Sequence, residues 1–433
     1  MTKCKIFKST LKKQIEGGKL QPGSILSSEH VLAKSSMMSR HTIRQALNEL
    51  ASEGYLRRSQ GKRSVVSDKY LQKKKTLRIF VPDFSIPSRL EQLNTFFTRQ
   101  TGIRVKTQLE IFNPADAEAT INKLKNGDLI FLSTENLDFF VNNNLLVPPK
   151  EIPALSSLIS GDNVMEKLIR FGVRDGVCQA PPVFFSPLVL IININLFNQA
   201  GITPPTRYQT LDALLSDAEQ LARPNPEKKS TGLVFNGHWS RLNYFLRAWY
   251  SEEPWKKQNI CACINRLKKI HENGSLFIGS DHFARRVFHE GRAAIFLSTY
   301  FEIQELIASR PFQFDLCGMP QLPDIPNFFR VTAAGIIRKQ GFPKNAVSYL
   351  EHFYSEKFQY FMRASGGGIP VISSAAYNKI SQGENLPQNY LIFKSDLEKC
   401  NPSGLYPPQE IMGKFNRYSE FIWNNFDLPE NLF

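Results

Sequence analysis

Arg40 and Arg44 stand four residues apart, just behind Ser39 and with His41 and Thr42 close by. On a helix that spacing puts both guanidinium groups on one face. Such a pair can bond phosphate oxygens, or the O6 and N7 edge of guanine when the helix end enters a major groove. A second basic pair, Lys62-Arg63, follows Gly61 in a short polar turn. Bond-breaking chemistry has no comparable signal. The seven histidines include no His-Glu-x-x-His, no serine sits in Gly-x-Ser-x-Gly, and Gly366-Gly367-Gly368 is not followed by Lys-Ser/Thr. No catalytic residue is therefore expected, and the chain is read as a binding protein.

The elements that would hold these arginines can be read locally. Ser39 is a good N-cap, and Ile43, Ala46, Leu47 and Leu50 recur at three- and four-residue spacing, which predicts a helix with one buried face. Gly54 ends it. Tyr55-Leu56-Arg57-Arg58 and Ser64-Val65-Val66 then predict two strands around the turn Ser59–Arg63, where Gly61 can take a positive φ. Upstream, Ser27 or Ser28 can cap a short helix carrying Val31, Leu32 and Ala33. The predicted order is helix, helix-turn-helix, hairpin. Charge agrees with a polyanionic partner: residues 1–76 hold 17 Lys and Arg against 5 Asp and Glu, a balance of +12 out of +15 for all 433 residues.

These segments resemble the winged-helix domain of GntR-type bacterial transcription regulators. The resemblance runs through Lys19-Leu20-Gln21-Pro22-Gly23, Ser28-Glu29-His30-Val31-Leu32-Ala33, Ser39-Arg40-His41-Thr42-Ile43-Arg44-Gln45-Ala46-Leu47 and Glu53-Gly54-Tyr55-Leu56. It implies DNA contacts from His30, Ser39, Arg40, His41, Thr42 and Arg44, with Gly61, Lys62 and Arg63 on the wing. His30 stands where the family usually has a phosphate-binding arginine, and Ser36-Met37 replaces a Leu-Gly turn. A single winged helix reads few base pairs, so a homodimer on a two-fold-related double-stranded DNA operator is expected.

Past a lysine-rich linker the pattern changes to strand-helix-strand alternation. Leu77–Val81, Ile103–Lys106 and Asp128–Leu132 read as strands, Leu90–Thr101 and Ile121–Lys125 as helices, and this predicts a parallel α/β sheet. The expected domains are a winged helix at 1–70, a linker at 71–76 and a two-lobed α/β domain at 77–433 whose second lobe begins near residue 186. The fold class expected is thus α+β winged helix-turn-helix followed by a two-lobed α/β periplasmic-binding-protein-like fold. The second region resembles the extracellular solute-binding proteins that deliver sugars to ABC importers. The resemblance rests on the segment 176–205 with its run Pro187-Leu188-Val189-Leu190-Ile191-Ile192-Asn193, on Phe288–Ile295 and on Gly366-Gly367-Gly368-Ile369-Pro370-Val371. It implies a sugar-like effector in a cleft between the lobes. The loops that match ligand-contacting loops carry Asp83 and Phe84, then Ser133, Thr134 and Glu135, then Phe185 and Ser186 at the hinge. Asn236, His238 and Trp239 follow, with Ser298, Thr299, Tyr300 and Gly367 beyond them. Trp239 and Tyr300 are expected to face each other across the cleft, offering flat surfaces to a pyranose.

Six cysteines without zinc-ligand spacing read as reduced thiols, and neither a metal nor a cofactor is expected. The first residues, Met1–Lys8, show no apolar leader and no run approaches the ~18 apolar residues of a membrane span, so a cytoplasmic location without membrane contact is expected. A ligand-controlled transcription regulator is one reading. A cytoplasmic solute-binding module whose head serves dimerisation or partner binding is the other.

Overall fold

Ser28 and Ser39 each begin a helix by accepting a backbone N–H, from Val31 at 3.4 Å and from Thr42 at 3.0 Å. In the computed structural model these caps start α2 (Glu29–Ser35) and α3 (Arg40–Ser52), which follow α1 (Lys3–Glu16). The structure describes residues 3–16, 19–59, 62–67, 76–81, 85–110, 117–160, 164–222, 230–322, 327–339, 343–378, 386–401 and 406–430. It divides into two units, Met1–Arg78 with Asn94–Lys106, and Ile79–Leu93 with Thr107–Phe433.

In the first unit, the apolar stripe Ile43, Leu47 and Leu50 of α3 packs with Leu11 and Ile15 of α1, Ala33 of α2 and Tyr55, Leu56 and Val66. Burying each such Leu or Ile contributes roughly 1.5–3 kcal/mol, so this small head carries its own core. Lys8 reaches from α1 to Glu49 at 2.8 Å and Glu53 at 2.6 Å at the far end of α3. Gly54, at φ +84°, turns the chain out of α3 into β1 (Leu56–Arg57), which pairs antiparallel with β2 (Val65–Val66). The predicted hairpin is therefore present, with Gly61 of its turn outside the described residues. Met37, where the resemblance would place glycine, takes φ +52°, a conformation that strains a side chain with a Cβ.

The remaining strands are β3 (Thr76–Val81), β4 (Arg104–Leu109), β5 (Leu129–Ser133), β6 (Leu146–Val147), β7 (Val173–Arg174), β8 (Val177–Cys178), β9 (Pro182–Asn193), β10 (Thr231–Asn236), β11 (Leu276–Gly279), β12 (Ala293–Thr299), β13 (Phe314–Cys317), β14 (Phe329–Ile337) and β15 (Ile369–Pro370). The main sheet has the order β11-β10-β12-β9-β14-β5-β3-β4. It corrects the expectation of a parallel sheet. β3 with β5, and β10 with both β11 and β12, are parallel, but β9 pairs antiparallel with β12 and β14, and β14 antiparallel with β5.

The reversal has a structural consequence at β9. All twelve of its residues are buried, as a run rich in Val, Ile, Leu and Phe requires when both faces are covered. Phe184–Pro187 pair with β14, whereas Leu188–Ile192 pair with β12. One strand thus passes from one sheet half to the other, and β9 with β14 joins two lobes within the second unit. At its end Asn193 Oδ1 accepts from Asn195 N and Leu196 N, capping the next helix.

Candidate functional site

On the head, the residues predicted to meet DNA are on the surface. Arg40, His41 and Arg44 of α3, His30 of α2 and Lys62 and Arg63 of the hairpin are all exposed. Ser39 is committed to the cap, its Oγ also lying 2.8 Å from Thr42 Oγ1. Arg44 does not stand alone. Its Nε donates to Glu29 Oε2 at 3.0 Å, and Glu29 also pairs with Arg58, whose Nη1 donates to the Arg44 carbonyl at 3.2 Å. The Arg44 side chain remains 58% exposed, so the pair fixes its resting direction at little cost to exchange with another anion. The hydrogen bond from Arg44, together with Arg58 and against some burial, holds the Glu29 carboxyl below its ordinary range.

In the second unit a cavity of about 650 Å³ opens between the lobes, a size suited to a small molecule. Glu135 beyond β5, Phe184 of β9 and Arg330 and Thr332 of β14 form one wall. The other comes from the ends of β10, β11 and β12: Asn236, His238, Ser240 and Arg241; Ser280, Asp281 and Arg285; Ser298, Thr299 and Glu302. Phe301 and Phe328 add apolar surface, and Ser419 comes from the helix Gln409–Asn425.

Two of the charged residues of this cavity, Arg241 and Glu302, are buried. Burial, opposed by Arg330 and by a hydrogen bond from Ser133, holds the Glu135 carboxyl above its ordinary range. Burial, only partly offset by Arg285, pushes Glu302 up to about 7, with Asp281 and Glu305 adding to the rise. Arg285 Nη2 reaches Glu302 at 2.7 Å and Asp281 at 3.3 Å, and Nη1 reaches Glu305 at 3.3 Å. His238 is driven well below its ordinary value by burial and by the Arg241 and Arg330 cations. Ser240 N donates to His238 Nδ1 at 3.2 Å, so the neutral ring carries its proton on Nε2. Burial brings Arg241 down to about 10.

Of the predicted cleft residues, Glu135, Asn236, His238, Ser298 and Thr299 line this cavity. Asp83 and Phe84 lie outside the described residues. The others are placed elsewhere, and each has another duty. Trp239 is fully buried, edge-on to Phe328 and Tyr406. Tyr300 packs on Tyr390 and Phe393 and donates to the Tyr390 carbonyl at 3.0 Å. These two side chains therefore do not oppose each other across the cleft: both helix-turn and strand-end positions turn them into the core. Phe185 stacks on Phe329 in the interior, and Ser186 Oγ accepts from Tyr300 N at 2.8 Å. Ser133 hydrogen-bonds the Glu135 carboxyl. Thr134 Oγ1 lies 3.1 Å from the Tyr406 hydroxyl. Gly367 is a close-packing position, where a Cβ would come 2.4 Å from Met362 Cε.

Arg241, Asp281, Arg285, Glu302 and Arg330 were not among the predicted residues. Each sits on an element whose period marks it as helix or strand, where a charged residue reads as solvent-facing. One signal was available: Ser280-Asp281 forms a helix start directly after a strand. Among the described residues no group of His, Cys, Asp and Glu is arranged to hold a metal, and the six cysteines are unpaired. Burial raises the thiols of Cys178 and Cys317 to about 12 and that of Cys400 to about 11, which suits unreactive thiols.

Residues 7–66 match the bacterial regulatory proteins of the gntR family. The HTH-type transcriptional regulator TreR of Bacillus subtilis (strain 168) is 49% identical over 53 residues, 12% of this chain and 22% of that protein. The arabinose metabolism transcriptional repressor of Halalkalibacterium halodurans is 38% identical over 72 residues, 17% of this chain and 19% of that one. The chain thus spans about a fifth of the length of these curated relatives. Solved structures match the larger part. A solute-binding protein of Agrobacterium radiobacter K84 in complex with ribitol superposes with a TM-score of 0.67 at 16% identity, covering 82% of this chain and 96% of that one. The GacH receptor of Streptomyces glaucescens, known unliganded and with acarbose, gives 0.66 at 14% identity, covering 82% and 95%. At such identity the likeness concerns the fold. Residues 7–66 are accordingly a GntR-type winged-helix domain, joined in one chain to the two-lobed fold of the sugar ABC solute-binding proteins.

Proposed function

We propose that the chain is a cytoplasmic, sequence-specific transcription regulator whose DNA affinity is set by a small sugar-like molecule held between the lobes. One observation carries this reading: an exposed basic helix and hairpin share a chain with a cleft whose two walls come from different lobes. The head supplies Arg40 and Arg44 for base edges, His41 and Thr42 beside them, and Lys62 and Arg63 for phosphates. His30 supplies a weaker contact than the usual arginine would. Cleft binding draws on Glu135, Asn236, His238 and Ser298 from the predicted set, and on Arg241, Asp281, Glu302, Arg330 and Thr332 in addition. A ligand that touches both walls favours the closed lobes by its differential affinity for them. Two chains on a palindromic site would multiply effective concentration.

Titration of the full chain against the duplex upstream of its own coding region tests the DNA half. The expected result is tight binding at a stoichiometry of two chains per site, weakened about 5- to 100-fold by Arg40→Ala or Arg44→Ala. Binding that neither substitution changes, or a head that dimerises without retaining DNA, would favour the partner-binding module instead.

A further inference from the structure

Resting on the reading of the cleft as a ligand site, we propose that its ligand carries an acidic group, a carboxylate or phosphate on a polyhydroxylated body, and that Arg241 is the residue that receives it. The arginines of the cavity are unequally paired. Arg285 is neutralised by Asp281, Glu302 and Glu305. Arg330 faces Glu135. Arg241 is different: its residue is only 7% exposed, and although Asp281 and Glu302 attract it, among the described residues no carboxylate comes within ion-pair distance of it. Its Nη1 donates to Ser240 Oγ at 2.8 Å, while its Nε, fully buried, has no hydrogen-bond partner. A guanidinium withdrawn from water, with Asp281 and Glu302 attracting it only from beyond ion-pair distance and Arg330 repelling it, is costly to hold, and the cost is recovered when an oxyanion takes its open donors.

Two neighbours fit the same ligand. His238, neutral and protonated on Nε2, adds a donor that repels no cation and attracts an oxygen acceptor. Glu302, only 4% exposed, leaves Oε2 without a partner while Oε1 holds Arg285. Glu302 lines the cavity, and a ligand hydroxyl that reached this buried oxygen would satisfy it. Ser298, Thr299 and Thr332 can satisfy further hydroxyls, and Phe301 and Phe328 can cover C–H surface. An uncharged sugar would leave Arg241 as it stands now. A sugar acid or sugar phosphate would complete it.

Calorimetric titration of the full chain with matched pairs tests this: D-gluconate and D-glucuronate against D-sorbitol and D-glucose, and D-glucose 6-phosphate against D-glucose, with inorganic phosphate alone as a further arm. The expected result is that an acidic member binds at least tenfold more tightly than its neutral counterpart and more weakly as salt rises. Arg241→Gln should lose about 10- to 100-fold in affinity for the acidic member, and Arg241→Lys should recover part of it, with melting temperatures of the free proteins showing that both variants fold. The carboxylate and phosphate arms identify the acidic group, and phosphate binding alone would mean an adventitious ion only and overturn the proposal. Equal binding of neutral and acidic members, unaffected by Arg241→Gln, would overturn it too while leaving a sugar cleft in place. Binding of neither series would overturn both readings.

Discussion

The head and the cleft place their chemistry in opposite ways. On the head, the working groups project from one short helix and one hairpin, are exposed, and are related by local spacing: Arg40 and Arg44 share a face because four residues make about one turn. In the cleft, Glu135, the His238 and Arg241 pair at one helix start, Glu302 and Arg330 come from segments far apart in the chain and meet only through the sheet order. The first arrangement advertises itself in sequence, whereas the second needs the fold. Burial separates them further. An exposed guanidinium such as Arg44 can exchange Glu29 for a phosphate or a base at little cost, but a buried one such as Arg241 has its electrostatics set before any ligand arrives.

The largest effect expected from this contrast concerns Trp239. If it belongs to the interior, Trp239→Ala should destabilise the second unit by about 3–5 kcal/mol, because a large indole packed on Phe328 and Tyr406 leaves a cavity that the core cannot close. Denaturant unfolding of the full chain would show it, and DNA binding in native buffer should persist because the head has a separate core. A variant of unchanged stability that loses only its ligand response would return Trp239 to the cleft and erase the distinction drawn here.

A smaller effect concerns Glu302. Its carboxyl sits at about 7 in the folded chain against an ordinary 4.5. A folded-state value raised in this way contributes stability that is fully present below about pH 4.5 and lost as pH rises through 7. The wild-type melting temperature should therefore fall across pH 5–8 by more than that of Glu302→Gln, whose side chain cannot ionise, although the variant loses a partner for Arg285 at every pH. Parallel profiles for the two proteins would mean that Glu302 is solvated like an ordinary surface carboxylate.

How much of this was legible follows from the same contrast. The caps Ser28 and Ser39, the stripe Ile43-Leu47-Leu50, the terminator Gly54 and the hairpin all depend on neighbours within a few residues, and all are present. The core of β9, Pro187–Asn193, was visible as the run that carries the resemblance to the solute-binding proteins. Its antiparallel pairing was not, because a strand covered on both faces carries no mark of its neighbours' direction. Trp239 and Tyr300 misled for a related reason: an aromatic flanked by polar residues after a strand reads as a loop side chain, yet His238 caps a helix there and turns the indole inward. Arg241 was invisible because helix periodicity assigns an arginine to solvent unless the whole helix is known to be buried.

In the proposed regulator, the coupling of cleft and head is thermodynamic. It is tested most directly by measuring operator affinity of the full chain with and without a saturating cleft ligand, and ligand affinity with and without saturating operator. Linkage requires the two factors to be equal, and a regulator of this design should show a change of about 5- to 150-fold in each. A ligand that binds the cleft and leaves operator affinity unchanged would contradict the account.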